Sequence, residues 1–271
     1  PALPPVVSIL AGTRVSPPEG APPRPPPVPR DAATVLVVRQ GAGDIEVFMV
    51  QRPARGDFPD LHVFPGGKVD DHDGELEHAC HGLDDIEASR RLTLDGGGLR
   101  YWVTAIRECF EESGVLLAYR NGAMFEPRDE AEETRFEAYR NALAAGRTSL
   151  GEVVAAEGLT LATDRVAYFS HWITPEMAPA RFDTRFFVAV MPPRQSARGH
   201  VRETVGGDWI SPTAALKRFD ADEWLMIYPT LKTLGMVRSY RTVQALFEAV
   251  SAGRHAIEVT PELHVQGMQY H

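Results

Sequence analysis

Two cysteines in 271 residues, Cys80 and Cys109, cannot build a disulfide framework. Cys109 falls on an apolar position of a helical pattern and reads as a buried structural thiol. A reducing compartment, the cytoplasm, is expected. No apolar run is long enough for a membrane span, and no secretory leader is visible: Pro4 and Pro5 interrupt the start, and Val6 to Leu10 is too short. The chain ends Gln269-Tyr270-His271, without a Ser-Lys-Leu peroxisomal address. Positive charge is also scarce. Lys and Arg total 28 against 37 Asp and Glu, a formal net charge of −9. That balance argues against nucleic acid as a nonspecific partner. It also means that an anionic substrate would need cations at its site.

Length and a 44% hydrophobic content allow one enlarged domain or a domain with appendages. Residues 1–30 are rich in proline, including Pro25-Pro26-Pro27, and cannot form helix. This arm reads as a flexible tail or, in a homodimer, as a segment laid along the partner subunit. Residues 31–240 read as the main domain, and 241–271 as a C-terminal helix and tail. Ala32–Arg39 and Ile45–Arg52 are strands joined by a hairpin turn at Gly41-Ala42-Gly43-Asp44. Leu61–Phe64, Val115–Ala118, Val166–Ile173, Phe182–Met191 and Trp209-Ile210 are further strands. Helices are expected at Leu99–Ser113, ending at Gly114, and at 128–145, 149–157, 212–219, 228–236 and 240–252.

The most informative stretch is Arg107-Glu108-Cys109-Phe110-Glu111-Glu112-Ser113-Gly114-Val115. On a helix, Glu108, Glu111 and Glu112 stand at i, i+3 and i+4 and share one face. At about 6 Å and an effective dielectric of about 20, each pair repels by roughly 3 kcal/mol, falling below about 1 when fully solvated. A hard divalent cation reverses that sign; a solvated acidic face is the plainer alternative. Upstream stands Phe64-Pro65-Gly66-Gly67-Lys68-Val69, where two glycines allow close approach of backbone to another element or a ligand.

Together these segments resemble the signature of the Nudix hydrolase family, G-x5-E-x7-R-E-U-x-E-E-x-G-U, with U apolar. Gly67 is the first glycine, Asp73 stands where the family has Glu, and Arg107 to Val115 match the rest. The spacer between Asp73 and Arg107 holds about 26 extra residues. The insertion, about 74–98, is expected to form a solvated lobe outside the core and beside the substrate cleft. It would hold a short helix from Leu83 to Leu92 and a Gly96-Gly97-Gly98 hinge. A zinc site at His78, Cys80 and His81 lacks a tetrahedral set at finger spacing. The stretches Trp172-Ile173-Thr174-Pro175, Arg181 to Phe187, Glu203 ahead of Trp209, and Ser211-Pro212 resemble the branch with a long insertion in the signature. That branch includes the animal peroxisomal coenzyme A diphosphatases.

The resemblance implies an α/β (α+β) fold, an α/β/α sandwich around a mixed sheet, with extra C-terminal helices. It implies hydrolysis of a small-molecule nucleoside diphosphate derivative. Glu108, Glu111 and Glu112 would hold Mg²⁺ or Mn²⁺, with a carbonyl of Gly66 or Gly67 as a further ligand. Arg107 would orient a glutamate by ion pairing. Glu203 is the candidate base, with His200 as competitor. Arg52, Arg55, Arg181 and Arg185 are candidate phosphate contacts, each equally readable as an ion-pair partner. The separate coenzyme A signature is met only in part: Arg52 fits, but the spacing of Arg55 and Gly56 does not. Coenzyme A or acyl-coenzyme A is the leading substrate, with ADP-ribose or a dinucleotide as alternative. A non-catalytic nucleotide-binding module of the same fold would be expected to lose some of the glutamates; all three remain.

Overall fold

A computed structural model describes residues 27–53, 60–176, 178, 180–200 and 206–253, and the backbone of 257–259. Strand β1 (Arg30–Gln40) lies inside the main sheet, and its Val35-Leu36-Val37-Val38 run is fully buried. Such a continuous apolar run is what a strand covered on both faces requires. On one side it pairs antiparallel with β2 (Ile45–Gln51), in register Val38 with Val47. The turn closes through the Gly41 amide, which donates to the Asp44 carbonyl at 2.9 Å. On its other side β1 runs parallel to β9 (Phe182–Val190), from Arg30 opposite Phe182 to Val38 opposite Val190. The strand order is β10-β2-β1-β9-β8-β11, where β8 is Val166–Ile173, β10 Gly206–Ile210 and β11 Ile257–Val259. Two short strands, β3 (His62–Val63) and β4 (Gly66–Lys68), add to β2 and β1. Strands β5 to β7, between residues 118 and 161, form a separate small sheet.

Each face of the main sheet has its own core. Ala33, Val35, Val37, Phe48 and Phe187 point to one side, where helix α2 (Leu99–Ser113) packs with Trp102, Ile106 and Phe110. Leu36, Val38, Val47, Met49 and Val188 point to the other. There they meet helices α5 (Pro212–Asp220), α6 (Tyr228–Val237) and α7 (Val243–Ser251). The result is the expected α/β/α sandwich with a mixed sheet. Leu246 of α7 is fully buried in the second core, so this helix is a component of the layer. Among the described residues no helix is long and apolar enough to cross a membrane.

Two expectations change. Val115, Leu116 and Leu117 are buried as an apolar strand would be, but β5 covers only Ala118–Arg120. The backbone of Leu116 is paired instead by a side chain: Gln195 accepts from its amide and donates to its carbonyl, both at 2.9 Å. The insertion is also not a solvated lobe. It forms a 3-10 segment (Asp71–Ala79) and helix α1 (Asp85–Leu92). Leu76, Ala79, Leu83, Ala88 and Leu92 join the core beneath α2.

Two of the three glycines, Gly97 and Gly98, are pinned and make no hinge. The Asp85 carboxylate accepts from the amides of Gly97 at 2.8 Å and Leu99 at 2.9 Å, and Ser89 Oγ accepts from Gly98. Burial pushes the Asp85 pKa up, but the amides of Leu99 and Gly97 outweigh it and hold the carboxyl below its usual range. Asp85 thereby binds an otherwise unpaired donor at the start of α2. A Cβ on Gly98 would lie 2.4 Å from the Ser89 backbone nitrogen, whereas one on Gly96 meets nothing within 4 Å. Gly98→Ala should therefore lose about 1–3 kcal/mol as the chains are forced apart, with Gly96→Ala within about 0.5 of wild type. Urea denaturation of the two variants measures this; equal stability would contradict the tight contact.

Candidate functional site

Helix α2 is apolar almost all round at its start, as a central helix must be: Leu99, Tyr101, Trp102, Val103, Ala105 and Ile106 are all buried. Polarity enters in its last two turns, where Arg107, Glu108, Glu111 and Glu112 emerge toward β4. Gly114 ends the helix in the left-handed conformation, φ 76°, its amide donating to the Phe110 carbonyl. The last carbonyls are capped by Arg140 from helix α3 (Glu130–Leu143). Its Nε donates to the Glu111 carbonyl and its Nη2 to that of Glu112, both at 2.9 Å. A buried cation at a helix C-terminus suits the backbone dipole. This residue went unnoticed in sequence because its own helix reads as an apolar stripe of Phe136, Tyr139 and Leu143.

Arg107 is the hub of the acidic face. Its Nε and Nη2 fork onto the two oxygens of Asp73, each at 2.9 Å, and Nη2 also reaches the Lys68 carbonyl at 2.8 Å. Its Nη1 donates to Glu108 at 2.8 Å and to Glu111 at 3.1 Å. Burial alone would lower the Arg107 pKa; the hydrogen bonds and charges of Asp73, Glu108 and Glu111 outweigh it and raise it further. Asp73, in the position where the signature carries Glu, is 3% exposed. It also accepts from Thr104 Oγ1 at 2.7 Å and from the Asp70 amide at 2.9 Å. The 3-10 segment brings its shorter carboxylate up to the guanidinium.

The glutamates are held individually. Glu112 Oε2 accepts from the Gly66 amide at 3.0 Å. A Cβ on Gly67 would lie 2.3 Å from Glu108 Oε1, so only glycine leaves room for that carboxylate. Burial raises the Glu111 pKa, against the opposing charge of Arg107. Among the described residues no three His, Cys, Asp or Glu side chains converge as a metal site. In donor chemistry, however, the cluster suits a hard cation: carboxylate oxygens on one helix face, with a glycine gap that accommodates one of them.

Beyond β4 opens a cleft of about 1220 Å³, with Gly66, Gly67, Arg107 and Glu108 in its wall. Lys68 and Arg52 line it too, as do apolar side chains from the sheet, α5 and α6. The insertion contributes no residue to this lining, contrary to expectation. Two expected phosphate contacts are turned elsewhere. Arg181 donates to the carbonyls of Thr174 at 3.0 Å and Pro27 at 2.9 Å. Arg185 is buried over the Tyr101 ring and pairs with Asp183. Neither lines the cleft. His200 is buried, its Nε2 3.2 Å from Asn141 Oδ1. Arg55 and Glu203 lie outside the described residues.

The fork geometry yields a direct test. Arg107→Ala removes one side of a buried charge network and should cost about 3–5 kcal/mol. Arg107→Lys keeps the charge but not the planar fork, and should recover less than half of that loss in thermal or urea denaturation. A lysine variant as stable as wild type would show that the fork is dispensable.

The NUDT19 Nudix domain description matches residues 93–236, more than half of the chain. The acyl-coenzyme A diphosphatase NUDT19 of Gallus gallus is 30% identical, over 72% of this chain and 65% of that protein. Its namesake from Xenopus laevis is 22% identical, over 69% and 58%. The chain thus spans less than two thirds of the length of these curated relatives. A crystal structure of a NUDIX hydrolase from Alicyclobacillus acidocaldarius superposes with a TM-score of 0.69 at 27% identity, covering 83% of this chain and 97% of that one. With the signature helix, the Gly-Gly strand and the sandwich all in place, the chain belongs to the Nudix hydrolase family, in the branch described by the NUDT19 Nudix domain.

Proposed function

We propose that this protein hydrolyses the diphosphate bond of a nucleoside diphosphate derivative, with coenzyme A or an acyl-coenzyme A as substrate. The observation that carries this reading is the placement of Glu108 and Arg107 in the wall of a large cleft, next to the Gly-Gly strand. Glu108, Glu111 and Glu112, with a carbonyl of Gly66 or Gly67, would hold Mg²⁺ or Mn²⁺. Such an ion, when bound, neutralises diphosphate oxygens and makes water a stronger acid.

The chain's own residues divide the remaining work. Arg107 sets the direction of Glu108 and Glu111 through its Nη1. Asp73, which accepts from the Thr104 hydroxyl, in turn holds Arg107. Gly67 admits the Glu108 carboxylate where any side chain would displace it. Arg52 and Lys68 line the cleft and bring positive charge to a protein of net charge −9. The proton from water goes to Glu203 in this scheme. A reducing compartment, the cytoplasm, fits the free thiols Cys80 and Cys109; burial pushes both pKa values up to about 12, which keeps them unreactive.

Glu111→Gln and Glu112→Gln should each lower turnover by at least about a hundredfold while the fold survives, since removing one transition-state charge contact costs that much. Steady-state rates at saturating Mg²⁺ measure this; near-normal turnover in both variants would reject the ligand assignment. Arg52 supplies a second test. The 3′-phosphate of coenzyme A calls for a planar cationic contact, so wild type should prefer coenzyme A to 3′-dephospho-coenzyme A. Arg52→Ala should narrow that preference. Equal kcat/KM for both substrates in wild type would remove 3′-phosphate recognition, and faster cleavage of ADP-ribose would move the substrate to the alternative.

A further inference from the structure

The cleft continues past the acidic helix as an apolar channel. Phe64, Trp172 and Phe186 from the sheet side face Leu216, Phe219 and Met236 from α5 and α6. Helix α6 lines it through its first turn, Tyr228 to Lys232, and then through Gly235 and Met236, with Arg238 just past its end. Gly235 stands in the body of this helix, where glycine costs about 1 kcal/mol relative to alanine. No tight packing requires it, because a Cβ there would meet nothing within 4 Å. A residue with a local cost and no crowding neighbour has one visible structural consequence, which is open space in the channel. The apolar side chains of this lining offer nothing to the anionic part of a nucleotide, and the two cations beside Gly235, Lys232 and Arg238, are both exposed. A hydrocarbon chain laid on the apolar side chains gains about fourfold in affinity per buried methylene.

We infer that the channel receives the hydrocarbon tail of an acylated substrate, and that Gly235 sets the longest chain accepted. This rests on the hydrolase reading above, and the acyl group takes no part in the bond that breaks. The channel is continuous with the wall that carries Glu108, so a substrate whose diphosphate lies there can extend its tail toward α6.

The test compares wild type, Gly235→Ala and Gly235→Leu on coenzyme A, acetyl-, octanoyl- and palmitoyl-coenzyme A with Mg²⁺. In wild type, kcat/KM should rise with chain length. Gly235→Leu should lower it at least about tenfold for palmitoyl-coenzyme A, the scale on which apolar pockets discriminate. It should leave coenzyme A and acetyl-coenzyme A within about twofold, and Gly235→Ala should fall between. Retained activity on the short substrates shows that the variants are folded. A uniform loss at every length, or no loss for palmitoyl-coenzyme A, would overturn the role of Gly235. Calorimetric titration with S-hexadecyl-coenzyme A and coenzyme A, in EDTA, reads the channel without turnover; equal affinities in wild type would overturn it. Tail-dependent binding without hydrolysis of any coenzyme A derivative would sink the hydrolase reading alone, leaving the channel assignment supported.

Discussion

The Arg107 guanidinium joins two groups of carboxylates that would otherwise repel: Asp73 behind it and Glu108 with Glu111 in front. All of these side chains are largely withdrawn from water, so the charges are weakly screened. Each of the three arms of the fork has a partner, and Nη2 also ties down the backbone of β4 at Lys68. The position of the Gly-Gly strand against α2 follows from this contact and from the Gly66 amide on Glu112. If the fork is lost, the acidic face, the strand and the 3-10 segment lose their common anchor.

From that anchor the cleft is built outward. Strand β4 lies beside the acidic helix, and its two glycines share one cleft wall with Arg107 and Glu108. On the far side, α5 and α6 cover the second face of the sheet without filling the space over Phe64 and Phe186. The arrangement places a polar, charge-dense wall and an apolar channel in one cavity. A substrate with an anionic middle and a hydrocarbon end has both properties.

Much of this was legible in the residues. Helix α2 has the expected bounds, Leu99–Ser113, because its apolar periodicity and Gly114 both act locally. Strands β1, β2, β8 and β9 fall within a residue or two of expectation, since each is rich in β-branched and aromatic residues. The insertion was misread because its helix α1 is mostly charged and carries few apolar side chains. Its burial depends on Leu76, Ala79 and Leu83 meeting α2, a contact between residues far apart in the chain. The Gly96-Gly97-Gly98 run suggested mobility because composition cannot show that Asp85 and Ser89 bind its amides. Arg181 and Arg185 looked like phosphate contacts for the same reason: an arginine's partner is fixed by tertiary structure. Gly235 carried no signal, as one glycine in a helical stretch looks like tolerated noise until its neighbours are known.

The central claim is that the face presented by Arg107 is a divalent-cation site opening on the cleft. Anomalous diffraction from crystals soaked in Mn²⁺ tests it most directly. The expected result is a manganese peak at coordination distance, about 2.0–2.4 Å, from carboxylate oxygens of Glu108, Glu111 or Glu112. A peak confined to other residues, or none at millimolar Mn²⁺ with Glu108 still bonded to Arg107, would contradict it.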